Sequence, residues 1–473
     1  MSALSTVNLA KTAARKPKTL IAIWLIAFVI AGALAGTFLE GNLSSQWRFL
    51  NSPESQIADN LIDDHLRDPY AAIETVIITS NTHKYDEIEF VSFADDIAAQ
   101  ILELGPEIIT STRERIVNEE RDAALIFVRM AGSADEASLE VEKIHEIIDH
   151  ANNDQFTVDI TGNATLSKDF IEGSEKDLLT GEAIGIPFAI IILILVFGAI
   201  IAALIPLMVA ILAIVIALGV AAVIGEAFTL SVFVVNVATM MGLAVGIDYS
   251  LFIIERYREE RRKGSSIDDS IIIASNTASR AVLFSGITVV LAVAGLFLVP
   301  TDLFWSLAIG SILVVITSVI AALTLLPAII KLLGDRINKF SLRAVVKRQD
   351  AELESGFWDK IATVVMGKPI ISLLLSVGIL VALAIPYFGI QTGLAGVTTL
   401  PDHFRSNEGF EVLEAEFSGG LMAPIIIVIE RPNRTLDLQD RFEAVSDAIG
   451  GMAAIEISPD QQIATISLAP PGD

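Results

Sequence analysis

"MGLAVGIDYSLFIIERYREE", residues 241–260, contains a single aspartate, Asp248, in a run that is otherwise uncharged until Glu255 and the basic cluster that begins at Arg256. The apolar stretch around it runs from about Thr229 to Ile254, and a helix needs about twenty such residues to cross hydrocarbon. Placing a charged side chain at mid-bilayer costs about 2.5–3.5 kcal/mol even on lenient insertion scales, so an acid there marks function by default. The rest of the chain fits a membrane setting. Its 473 residues are 53% hydrophobic with a mean hydropathy of +0.63, too apolar for a soluble protein of this size. The expected class is a polytopic α-helical membrane protein.

Six more spans follow from apolar length. Leu20–Phe38 is one, and Ile184–Ile224 is long enough for two, with the fold-back expected near Pro206. Ala281–Leu298, Leu303–Ile330 and Ile370–Phe388 complete the set. The small-residue site "ALAG" at Ala33 raises the alternative of a cleaved signal peptide. An anchor is the preferred reading, because the seventh span begins with the same Lys-Pro and lies far inside the chain. Basic residues set the orientation. Lys11, Arg15, Lys16 and Lys18 precede the first span, Arg256–Lys263 follow the fourth, and Lys331–Arg348 follow the sixth. Span counting puts all three on one side, which the positive-inside rule makes cytoplasmic. The expected layout is a cytoplasmic N-terminus and first span (1–39), an extracytoplasmic porter domain (40–182) and spans two to six (183–330). A cytoplasmic linker (331–367), a seventh span (368–390) and a partial second porter domain (391–473) follow. The compartment is the cell membrane.

The net charge of −25 is concentrated outside. Between Glu40 and Asp177 about thirty acids face about ten bases, a poor surface for nucleic acid or anionic lipid headgroups. There are no cysteines, hence no disulfide or thiolate metal site. No phosphate-binding lysine loop, metalloprotease motif, EF-hand or serine elbow occurs, so no cofactor, metal or enzymatic activity is expected. "HEIIDH" at His145–His150 separates its histidines by about 140° around a helix, which denies them a common ligand. Both are read as part of a solvated helix flank.

"KPKTLIAIW" at Lys16 is matched by "KPIISLLL" at Lys368, and "LNSPESQIADNLIDDHL" at Leu50 by "LPDHFRSNEGFEVLEAEF" at Leu400. Each is a Lys-Pro, a span, a proline turn and an amphipathic helix, repeated after about 350 residues. Repeats, inverted or tandem, are a transporter architecture. The chain reads as one full repeat and the opening of another, a truncated form of that pattern. Inside the outer domain the strand "ETVIITS", the helical "YDEIEFVSFADDIAAQILEL", the hairpin "EIITSTRERIV"/"DAALIFVRM", a helix at Ala134–Ala151 and the strand "FTVDITG" follow in order. That order, βαββαβ, predicts a ferredoxin-like α+β module.

Asp248 is the one ionisable group placed deep in a span, a carboxyl able to take up and release a proton, and Tyr249 beside it offers a hydroxyl to orient or relay. Gly242 and Gly246 form a small-x-x-x-small face expected to bring a partner helix within reach of the acid. Ser285 and Thr288 on the fifth span are polar without a necessary role, since a serine or threonine can bond its own helix carbonyl.

These stretches resemble the MMPL family, the mycobacterial-membrane-protein-large exporters of the resistance–nodulation–division superfamily. "GLAVGIDYSLFIIERYREE" is similar to the family's fourth-span signature. "RAVLFSGITVVLAVAGL" at Arg280, "TGNATLSKDFIEGSEKDL" at Thr161, "SPESQIADNL" and "AGVTTLPDHF" carry the likeness through nearly the whole chain. The resemblance implies a proton-coupled exporter of lipids or other hydrophobic or amphiphilic molecules, with paired porter domains. It makes Asp248 and Tyr249 half of a proton relay and Ser285 its neighbour. The family's second Asp-Tyr pair, on a tenth span, has no counterpart here, which implies a second half-transporter or a homo-oligomer as partner. The alternative is a non-transporting membrane sensor or assembly scaffold of the sterol-sensing or secretion-assisting type.

Overall fold

The computed structural model describes residues 6–45, 48–66, 72–112, 115–339, 357–390, 400–417, 425–430 and 452–469. In chain order these form α1 (Thr6–Arg15), α2 (Pro17–Leu34), β1 (Leu43–Ser44), α3 (Glu54–His65), β2 (Ile73–Thr79), α4 (Ile88–Leu102), β3 (Ile109–Thr112), β4 (Ile116–Val117) and β5 (Ala123–Met130). Then come α5 (Ala134–Ser138), α6 (Glu142–Ala151), β6 (Thr157–Gly162), α7 (Asn163–Phe197), α8 (Ile200–Gly225), β7 (Leu230–Ser231), α9 (Phe233–Arg262), α10 (Ile267–Asn276), α11 (Ala278–Val293) and α12 (Asp302–Leu333). After residues outside the description follow α13 (Phe357–Gly367), α14 (Pro369–Ala384), α15 (Arg405–Glu416), β8 (Ile425–Glu430), β9 (Met452–Ile457) and β10 (Ile463–Ala469). Parts of the expected linker and of the second outer domain lie outside the described residues.

Seven helical segments are long and apolar enough to cross a membrane. The fold-back expected near Pro206 falls instead at Gly198, which takes the left-handed conformation (φ 64°, ψ 12°) and donates its N–H to the Ile194 carbonyl at 2.7 Å. Glycine reaches that conformation without steric penalty, whereas Pro206 lies inside α8, where neighbouring helices tolerate it. The bundle is centred on α8, α9 and α12, with α2 against α8 and α12 and α11 against α12. The apolar side chains of α14 stay exposed, outside that bundle.

At one end of the bundle the basic clusters meet. Arg261 pairs with Asp335 at 2.6 Å, Lys331 with Asp268 at 2.6 Å, and α1 packs on α10 and α12. At the other end stands the α/β module, its sheet ordered β3-β5-β2-β6 with every pairing antiparallel and β4 also on β5. Alternation sends Val76, Ile78, Ile126, Val128, Val158 and Ile160 to one face, where α4 and α6 bury them with Phe90, Ile97, Ile101, Ile144 and Ile148. The helix expected over Ala134–Ala151 is two, because a capping box between Ser133 and Glu136 starts α5 and a separate turn starts α6.

The sheet's other face is covered by α15. Leu413 of α15, fully buried, packs on Ile77 and Leu125. Conversely α3, from the first repeat, packs on β8 and β10 of the second sheet, and its His65 Nδ1 lies 2.7 Å from Asp460 Oδ2. The repeat seen in the sequence extends to the backbone: Lys16 (φ −129°, ψ 57°) and Lys368 (φ −139°, ψ 63°) enter their helices alike, each followed by a proline at the first turn, where its missing N–H costs nothing.

Candidate functional site

The glycines of α9 fix which way Asp248 faces. A Cβ on Gly246 would lie 2.7 Å from Ala210 Cβ, and one on Gly242 would overlap Ile214 of α8 and crowd Val314 of α12 at 2.7 Å. The glycine stripe is therefore the seam along which α9 lies against α8 and α12. Asp248 stands two residues past Gly246, about 200° around the helix. The seam thus turns the acid away from its packed neighbours, contrary to the expectation that the stripe delivers a partner helix to it. Asp248 is exposed on the flank of the bundle, in line with Met240 (67% exposed), Ala244 and Phe252 (57% exposed). Among the described residues it makes no hydrogen bond or ion pair.

Tyr249, 100° further round, is buried, and its hydroxyl donates to Ser285 Oγ on α11 at 3.4 Å. The structure thus brings Tyr249 and Ser285 together behind Asp248. Thr288 bonds its own helix, Oγ1 to the Phe284 carbonyl at 2.9 Å. One residue of this site escaped the sequence reading. Gly286 leaves the space that Val319 Cγ2 of α12 fills, and a Cβ there would also come within 3.8 Å of the Tyr249 hydroxyl. The signal was present as a glycine beside the only serine of that span.

A second polar constellation lies in the α/β module. His145, expected on a solvated flank, is 2% exposed, with Nε2 3.1 Å from Thr165 Oγ1. The reason is α6's amphipathic phase: His145 follows Ile144 on the face that meets the sheet and α7. Burial, and then the positive charge of Arg405, push its pKa down to about 4. Arg405 reaches in from α15 and holds Asp149 at 2.7 and 2.9 Å, Ser406 N–H donates to Asp169 Oδ2 at 2.8 Å, and Thr161 Oγ1 donates to the Ser406 carbonyl at 2.9 Å. Glu74 on β2 is buried beside them. Its place was legible, since Glu74, Val76 and Ile78 share a strand face, but the acid was not singled out. For cations, His83, Glu87 and Glu89 converge within 4.8 Å. On the exposed loop before α4, His83 Nδ1 is already engaged by Glu87 Oε2 in a 2.7 Å hydrogen bond.

A sequence model of the MMPL family matches residues 78–372. The chain is 27% identical over 448 residues to a putative membrane protein of Streptomyces coelicolor, covering 93% of this chain and 61% of that protein. It is 28% identical to the heme uptake protein MmpL11 of Mycobacterium tuberculosis, covering 94% and 44%. With the trehalose monomycolate exporter MmpL3 of Mycolicibacterium smegmatis it shares 24% identity, covering 86% and 44%. The chain spans about half the length of the curated relatives it matches.

Proposed function

The chain belongs to the MMPL family of multi-pass membrane proteins, and from that premise we propose that it forms the first-repeat side of a proton-driven exporter of lipids or other hydrophobic molecules. One observation carries the reading: an acid on the open flank of the bundle, backed by a Tyr249–Ser285 hydrogen bond and without a partner among the described residues. In this reading Asp248 takes up and releases the coupled proton at a contact with a second Asp-Tyr pair, supplied by another repeat or another chain. Tyr249 and Ser285 hold the hydroxyl path behind it. Gly242 and Gly246 fix the rotation of α9 that presents the acid. The N-terminus and the basic end of the bundle are cytoplasmic, and the β3-β5-β2-β6 module is a ferredoxin-like porter domain outside.

Energetics shape the route. One charge crossing 100 mV supplies about 2.3 kcal/mol. Drawing an acyl chain into water costs about 0.8 kcal/mol per methylene, on the order of 10 kcal/mol for a lipid tail. One or two protons fall short of that, so the cargo leaves the outer part of the bilayer along an apolar path shielded by the outer modules. The heme-uptake and mycolate-export names among the relatives leave the cargo's class wider than lipid alone.

The test is Asp248→Asn in the complete protein, followed by proton flux in proteoliposomes under an imposed gradient. Loss of flux with unchanged thermal stability is expected, because the side chain has no partner among the described residues. Undiminished flux rejects the relay and favours a sensor or scaffold.

A further inference from the structure

Helix α7 is continuous for 35 residues, about 50 Å, from the outer sheet to the far end of a membrane-crossing segment. The Ala164 and Thr165 N–H groups of its first turn are held by one side chain. Glu74, on the central strand β2, is 0% exposed. Its Oε1 accepts from the Ala164 N–H at 2.6 Å, and its Oε2 from the Thr165 N–H at 3.3 Å and the Thr165 hydroxyl at 2.5 Å. Two of the four N–H groups that a helix start leaves unpaired are thereby satisfied. Gly162 leaves the space that the carboxyl occupies, since a Cβ there would lie 2.6 Å from Glu74 Oε1.

We propose that Glu74 is a proton-operated latch between the outer module and α7, closed while the carboxyl carries a proton and loosened when it gives the proton up. Among the described residues, no side chain offers the anion a countercharge. From α7, Asp169 faces it with like charge. From α6, His145 reaches Thr165 as a neutral ring, and Arg405 of α15 faces that ring while engaged with Asp149. From α5, Asp135 accepts from Ser167 Oγ at 3.0 Å. On the neighbouring strands Val128 and Gly162 stand opposite. Burial outweighs the three donors and raises the Glu74 pKa from the ordinary 4.5 to about 7.

The sign follows from linkage. The docked state has the higher proton affinity, so acid favours it, and rising pH favours the state in which the carboxylate reaches water. With those two values the opening equilibrium rises about tenfold between pH 6 and pH 8. A module facing the proton-rich side of an energised membrane is thus clamped to its membrane helix, and one facing alkaline medium is freed. This inference does not rest on the export reading.

Hydrogen exchange of the full chain in lipid nanodiscs tests it, at pH 6, 7 and 8, with rates corrected for intrinsic pH dependence. Protection of residues 163–167 should fall about tenfold across that range, and Glu74→Gln should remove the slope. Asp149→Asn, a carboxylate outside the latch, should keep it. A flat or reversed wild-type profile overturns the proposal, as does a slope that survives in Glu74→Gln. Should Glu74→Gln fail to fold, Thr165→Val takes its place: losing a donor to the anion must move the slope to higher pH, and an unmoved slope counts against the latch.

Discussion

Asp248 lies on an apolar helix and His145 on an amphipathic one, and the structure treats the two polar groups oppositely. The acid is turned out to the flank and the imidazole is turned in. For His145 the consequence is a pH dependence of stability. Its folded pKa of about 4 lies below the ordinary 6.5, so the buried neutral ring contributes stability above pH 6.5 that is lost as pH falls towards 4. Glu74 works in the other direction, its contribution growing as pH falls from 7 to 4.5. In His145→Leu the acid-side loss should be gone: the variant's thermal midpoint should decline less than the wild type's between pH 6.5 and 4, whatever its value at pH 7. Parallel profiles would show that the ring does not titrate on unfolding. The sequence located Asp248 because a charge in a hydrophobic span is conspicuous by itself. It mislocated His145 because a histidine's burial depends on which face of α6 finds the sheet.

At the scale of elements, close helix approach decides the site. Gly286 lets Val319 fill the gap between α11 and α12, and that approach sets the distance from Ser285 to Tyr249. Gly286→Ala should force the helices apart at a cost of about 1–3 kcal/mol, the range for overpacking a tight interior. Because the obstructing atom is a valine methyl, Val319→Ala in the same chain should restore most of the loss in thermal unfolding. A double variant no more stable than the single would place the strain elsewhere. The same reasoning explains the misplaced fold-back. Proline was the conspicuous breaker in Ile184–Ile224, yet a left-handed glycine ends a helix more completely than a proline held within a packed bundle does.

At the scale of the molecule, two helices are exchanged between sheets. Of the amphipathic helices that follow the two Lys-Pro segments, the later one, α15, packs on the first sheet and the earlier one, α3, on the second. The first sheet is therefore finished by α15, which lies roughly 245–340 positions downstream of the strands, and its stability depends on that helix. Leu413→Ala should cost about 2–5 kcal/mol, the range for emptying a fully buried leucine site. The loss should appear as faster proteolysis of the first module's sheet as well as of α15. Arg405→Ala, which removes a half-exposed ion pair, should cost about 1 kcal/mol or less. Equal losses for the two would mean that the docking is ionic rather than apolar.

Seven helices long and apolar enough to cross a membrane, an intervening α/β segment and a helix entry used twice were all set by local patterns: apolar run length, period-2 and period-3.6 alternation, and a repeated Lys-Pro. These properties belong to a stretch of chain whatever it touches. The direction in which Asp248 faces, the burial of His145 and Glu74, the space at Gly286 and the exchange of α3 with α15 were decided only by tertiary structure. Each depends on which surfaces meet across tens or hundreds of residues, and apolar attraction, being non-directional, leaves that choice to the packing of the whole.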